Sequence, residues 1–274
     1  MPKIENSRFL AGCLLLISLV SAPLTAATIT DAYVGSRDYG WGDVIGDRGI
    51  FDIDKAVLSQ TGDILTVEIF TDFAGQAGNG FGGITGGKGI GYGDLFLSAS
   101  WNPYVSNTSK PENGYLGDDY LSGTRWSYGF SLDDDRWENS GVHTGSLYDL
   151  TGYEPADYAL LSSDFLTGGT YRRGQEVAVR DSVKTDANRV GIGNWTVDAA
   201  RQVIQFEINI AGTGLDLNSG IALHWGMSCG NDVIEGRTLS LSPQDKGVVT
   251  EPGTALLLLI GAVGVAGRFR RAAA

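Results

Sequence analysis

Ile64–Phe73, ILTVEIFTDF, and Gln202–Ile210, QVIQFEINI, are the two stretches that decide the fold. In the first, Leu65, Val67, Ile69, Thr71 and Phe73 share one face, a period of two. In the second, Ile204, Phe206, Ile208 and Ile210 oppose Val203, Gln205, Glu207 and Asn209. A strand gives this alternation when one face packs on a core and the other meets water. Gly62-Asp63 is a turn signal between GIFDIDKAVLSQ and ILTVEIFTDF, and Ala199-Ala200-Arg201 reads as a hairpin between NWTVD and QVIQFEINI. GDLFLSAS, RWSYGFSL, QEVAVR and GIALHWGMS are further short strands bounded by Gly, Asp and Asn. There is no helical periodicity, no repeat of fixed period and no Pro-rich linker in this region. The expectation is an all-β fold: an antiparallel β-sandwich, jelly-roll-like, over residues 28–247. Leu65, Val67, Ile69, Phe206, Ile208 and Ile210 are expected in its core.

The charge balance is acidic. The 274 residues carry 20 Lys and Arg against 32 Asp and Glu, a net charge of −12. Residues 1–27 hold two basic and one acidic side chain and residues 254–274 hold three arginines, which leaves 15 basic against 31 acidic between them. Nucleic-acid affinity comes from Lys and Arg on phosphates, so this body is not expected to bind nucleic acid.

The two ends read as targeting segments. MPKIENSR carries Lys3 and Arg8, Phe9 to Val20 is apolar, and the small residues of SAPLTAA follow. That three-part pattern is a secretory signal peptide over residues 1–27, with cleavage after Ala27 or one residue earlier, and with passage through the Sec translocon. Leu10-Ala11-Gly12-Cys13 matches a lipobox, but the apolar run follows Cys13 where a lipoprotein needs it to precede. Removal of the leader takes Cys13 with it and leaves Cys229 as the single cysteine, so no internal disulfide is expected. At the other end, Ala255 to Gly267 is apolar on every helical face and would span about 20 Å, against a bilayer core of about 30 Å. Snorkelling by Arg268, Arg270 and Arg271 would let it insert, with those arginines held on the cytoplasmic side.

Thr250-Glu251-Pro252-Gly253-Thr254, then the apolar run, then Arg-Phe-Arg-Arg, resembles the PEP-CTERM sorting signal of gram-negative bacteria. The resemblance covers about Val249 to Arg271, within a sorting segment placed at residues 248–274. Glu251, Pro252 and Gly253 match its motif, and Thr250 stands where the motif has its first proline. It implies a transient inner-membrane anchor, processing by an exosortase, and delivery to the cell surface or extracellular matrix. Gly220 to Gly236, GIALHWGMSCGNDVIEG, is similar to a stretch of exosortase-dependent surface proteins in which Trp-x-x-x-Cys-Gly-Asn-Asp closes the β domain. Here those positions are Trp225, Cys229, Gly230, Asn231 and Asp232. A looser similarity, to jelly-roll carbohydrate-binding modules, rests on strand pattern and aromatics.

Catalytic motifs do not assemble. Gly226-Met227-Ser228-Cys229-Gly230 fits Gly-x-Ser-x-Gly, yet NDVIEGRTLSL after it is not helical, and His143 and His224 both precede the serine. Cys229 with His224 would make a thiol dyad, but nothing else in the sequence supports activation. GGITGGKG, Gly82 to Gly89, has glycine where a phosphate loop needs Ser or Thr, and there is no zinc spacing. The body's acids offer too many pairs to single out a glycoside-hydrolase dyad. No cofactor is required; calcium is the small ligand that Asp133-Asp134-Asp135 or the stretch with Asp43, Asp47, Asp52 and Asp54 would suit. Trp101, Tyr104, Trp126 and Trp137 would suit stacking on sugars. The expected function is that of an exported non-catalytic surface or matrix protein that takes an extracellular polysaccharide. The alternative is an exported glycan-active enzyme.

Overall fold

The computed structural model describes residues 25–35, 43–78, 88–105, 115, 117–154, 158–163 and 172–239. The strands are β1 (Thr25–Thr30), β2 (Ile53–Thr61), β3 (Ile64–Thr71), β4 (Leu95–Ser98), β5 (Tyr128–Ser131) and β6 (Val142–Asp149). They continue with β7 (Leu160–Ser162), β8 (Glu176–Val179), β9 (Arg189–Asp198), β10 (Val203–Asn209), β11 (Ala222–Gly226) and β12 (Val233–Arg237). A single helical turn, Arg48–Phe51, is capped by the Asp47 carboxylate, which accepts from Gly49 N–H. The fold is all-β and antiparallel.

Ten strands form one sheet in the order β1-β2-β3-β10-β9-β6-β5-β4-β11-β12, and β7 and β8 pair apart from it. Two separate facing sheets are the expectation for a sandwich. Here β9 hydrogen-bonds β10 on one side and β6 on the other, which joins the halves into one ladder. The sheet curls until its first and last strands approach, nearly a barrel. Ile29 of β1 fills the space beside Gly236 of β12, where a Cβ would lie 2.7 Å from Ile29 Cγ2.

The inner face carries the main core. Leu65, Val67 and Ile69 of β3 meet Phe206 and Ile208 of β10 and Trp195 of β9, and all are fully buried. Ile210 is buried with them. All of these but Trp195 are the core residues read from the alternation. Each such side chain contributes about 1.5–3 kcal/mol by leaving water. Glycines on this face have a packing reason: a Cβ at Gly145 would lie 2.5 Å from Phe130 Cζ, and one at Gly193 would lie 2.9 Å from Phe130 Cε2. The Phe130 ring occupies the space those two positions leave open, edge-on to Phe206 at 6.1 Å between centroids.

A second, smaller core lies on the outer face of β4, β5 and β11. Phe96, Trp126, Leu150, Leu160, Val179 and Ala222 pack there under the β7–β8 hairpin. Gly129 of β5 admits that hairpin, since a Cβ on it would lie 2.5 Å from Val179 Cγ2. Among the described residues no helix is long and apolar enough to cross a membrane. The expected membrane helix, Ala255–Gly267, lies outside the described residues, as do Glu251, Pro252, Gly253, Arg268, Arg270 and Arg271.

Candidate binding cleft and the buried acids behind it

Beside the β7–β8 hairpin lies a cleft of about 500 Å³. Tyr120 and Tyr153 stand half-buried in it, and the indole of Trp126 forms part of its wall. Asn102, Ser122, Thr124 and Thr151 bring amide and hydroxyl groups to the same space. Arg125 and Glu154, both exposed, pair at 2.5 Å on its rim. Asn188 Nδ2 donates to the Tyr153 hydroxyl at 2.6 Å, which fixes that ring. Rings flanked by hydroxyl and amide groups can take a ligand with an apolar face and polar edges. A second depression of about 580 Å³ on the outer face, lined by Ile64, Ile192, Glu207 and Asn209 among others, has no aromatic ring among its described lining residues.

Behind the wall of the cleft sits a layer of enclosed ionisable groups. Phe96, His224 and Glu235 are cross-strand neighbours on β4, β11 and β12, so their side chains share the outer face. β8 lies over them and adds Glu176. His224 Nδ1 lies 3.0 Å from Glu235 Oε2, and its Nε2 lies 2.9 Å from the Glu176 carbonyl and 3.7 Å from Glu176 Oε2. Trp101 Nε1 donates to Glu235 Oε1 at 2.8 Å, Thr124 Oγ1 reaches the same oxygen at 3.3 Å, and Trp126 Nε1 donates to Glu176 Oε1 at 3.1 Å. Burial pushes both glutamates up to about 8. Next to them Tyr33 donates its hydroxyl to Asp118 at 2.5 Å, and burial, with the Glu235 charge, pushes Asp118 up to about 7.

A second acidic group closes the seam between β1 and β12. Carboxylate oxygens of Asp31, Asp43 and Asp232 lie within 4.8 Å of one another. The buried guanidinium of Arg172 lies among them, with Nη1 4.0 Å from Asp232 Oδ1 and Nη2 donating to the Asp43 carbonyl. Burial, then the Asp43 charge, pushes Asp31 up to about 8; burial, then Asp31, holds Asp232 well above the carboxylate range. Calcium takes six to eight oxygens. Three carboxylates supply about half of that set, and Arg172 already brings a cation to them, so the group reads as a latch on the fold.

The clusters named from sequence disperse. Asp133 lies 3.6 Å from Lys184 and Asp135 lies 3.4 Å from His143. Asp47 caps the helical turn, Asp54 is exposed beside Lys55, the Asp52 carbonyl accepts from Thr71, and only Asp43 joins the latch. Ser228 is buried and its hydroxyl accepts from Gly91 N–H at 2.9 Å. Cys229 belongs to the main core, with its thiol pushed up to about 12 by burial, whereas His224 faces the outer layer between two glutamates. Trp101 and Trp126 hold the buried acids, and Trp137 donates to the Gly89 carbonyl with Lys88 over its ring; Tyr104 is exposed.

The Trp-x-x-x-Cys-Gly-Asn-Asp stretch has a structural role. Trp225 Nε1 donates to the Gly93 carbonyl at 3.0 Å, and Gly230 has φ +65° with a Cβ position 2.7 Å from the Arg172 carbonyl. The Asn231 carbonyl accepts from Ile45 N–H at 2.7 Å, and Asp232 anchors the latch. Ala27 lies within β1 opposite Leu58, so a chain beginning at Thr28 keeps Thr28–Thr30 of that strand. The acids behind the cleft had no sequence signal: the register of β11 on β12 pairs His224 with Glu235, and β8 brings Glu176 from a distant segment. Comparison with protein-family models, curated proteins and solved structures finds no match for this chain.

Proposed function

We propose that the chain is an exported, non-catalytic protein of the cell surface or extracellular matrix that binds polysaccharide in the cleft of Tyr120, Trp126 and Tyr153. The observation that carries this is the pairing of half-buried tyrosine rings with a hydroxyl and amide fringe in one concave space. The finer fold reading is a jelly-roll-like sandwich, its two halves being the two sides of the curled sheet. Export rests on the leader over residues 1–27. Sorting rests on Glu251-Pro252-Gly253, the apolar run and Arg268, Arg270 and Arg271, which together fit exosortase processing and release to the surface. A glycan array probed with the secreted protein tests the binding reading: signal on a defined polysaccharide class supports it, and a blank array with a folded protein refutes it. Deleting the exosortase in the source organism tests the sorting. The mature protein should lose its arginine tail in the parent strain and keep it in the deletion strain.

A further inference from the structure

We propose that Glu176, His224 and Glu235 position the cleft wall through Trp126 and Thr124, and that loss of a proton from this array as pH rises loosens the wall and weakens ligand binding. The inference rests on the cleft being the polysaccharide site. Each wall residue is tied from behind by a carboxylate: Trp126 by Glu176 at 3.1 Å and Thr124 by Glu235 at 3.3 Å.

The proton count follows from the geometry. The Glu176 carbonyl only accepts, so His224 Nε2, 2.9 Å away, carries a hydrogen. Nδ1 and Glu235 Oε2, 3.0 Å apart, then share one proton. An imidazolium balances one carboxylate. The second must hold a proton of its own or draw in water, since an unpaired charge is strongly disfavoured in the interior. The groups that face the array do not help. Asp118 and Tyr33 from the neighbouring segments add acid, Phe96 and Trp126 are rings against the imidazole, and Arg172 is engaged with Asp232 and the Asp43 carbonyl. Burial holds both glutamates near 8, so the proton leaves just above neutrality. Trp126 and Thr124 line the cleft, so water admitted to solvate the new charge enters past them.

The test uses the mature secreted protein and the best polysaccharide fragment from the array. Affinity measured by calorimetry from pH 6 to pH 9 is expected to fall about fivefold, as linkage requires when the bound ligand raises the pKa of the array by about one. E176Q, whose carboxamide oxygen still accepts but cannot titrate, is expected to flatten that profile. In parallel, the Trp126 indole N–H resonance, assigned with W126F, should move with pH in the unliganded protein and stay fixed in E176Q. An indole signal that does not move between pH 6 and pH 9, or an E176Q profile as steep as the parent's, overturns the proposal. Absence of binding at every pH overturns the cleft reading and with it the effect on binding; the indole titration then still decides the positioning role by itself.

Discussion

Asp232 Oδ2 accepts the backbone N–H of Ile53 at 2.7 Å although 179 residues separate them. Its other oxygen accepts Val233 N–H at 2.9 Å. β1 and β12 are not hydrogen-bonded neighbours in the sheet, so this side chain ties the start of β12 to the start of β2 where the ladder stops. Removing it leaves Arg172 and a buried N–H with less to meet them. D232A should cost about 3–5 kcal/mol in urea unfolding, and D232N, which keeps an acceptor, should cost less. A D232A protein as stable as the parent would show that the latch does not hold the seam.

Stability should fall as pH rises from acid to mildly alkaline. Asp31, Glu176 and Glu235 lie near 8 in the folded chain and Asp118 near 7, all raised by burial above the values they take when unfolded. Between the unfolded and folded values the folded state binds more protons, so the slope of stability with pH is negative there. The contribution of these groups is fully present near pH 4, is lost progressively as pH rises through the folded values near 7 and 8, and is constant from about pH 9. Urea midpoints from pH 4.5 to pH 9 check this. A midpoint that rises over that range contradicts it.

The contact between Gly129 and Val179 predicts a coupled pair. G129A inserts a methyl where Val179 Cγ2 already sits and should cost about 1–3 kcal/mol. V179A removes the obstructing methyl, so the double variant should be more stable than the sum of the two single changes implies, by about 0.5 kcal/mol or more. Additive costs would mean that β8 shifts freely over β5.

Thiol counting reports both the core and the leader. Cys229 is fully enclosed and its thiol is held in the neutral form, so the native secreted protein should not react with a thiol reagent at pH 8. In denaturant it should show one thiol. Two would mean that Cys13 is still attached and that the leader was not removed.

The strands were legible where one face is wet and the other buried. β3 and β10 alternate cleanly because their outer faces carry Thr66, Glu68, Gln205 and Glu207. β6 was not, since VHTGSLYD places Gly145 on the core side to make room for Phe130, which erases the apolar signal. β12 was hidden because Glu235 is polar yet buried, paired with a histidine that only the fold brings near. The cleft was half legible. Trp126 stands out in the sequence as an aromatic, but its role is to bridge the wall to Glu176, while Tyr120 and Tyr153 carry no local pattern that marks them. Asp232 lies far along the chain from Asp31 and Asp43, and of the acids crowded near Asp43 the others are accounted for by a cap, surface pairs and backbone contacts.

The cleft itself is tested most directly by titrating one bound glycan fragment into three variants of the secreted protein. Y120A and Y153A should each lower affinity about tenfold, roughly 1.4 kcal/mol, under conditions where urea unfolding shows both variants, whose rings also pack on the outer-face core, to be still fully folded. Y104A removes an exposed tyrosine that does not line the cleft and should bind as the parent does. Equal affinity of Y120A, Y153A and the parent, or an equal loss in Y104A, would place the polysaccharide elsewhere on the molecule.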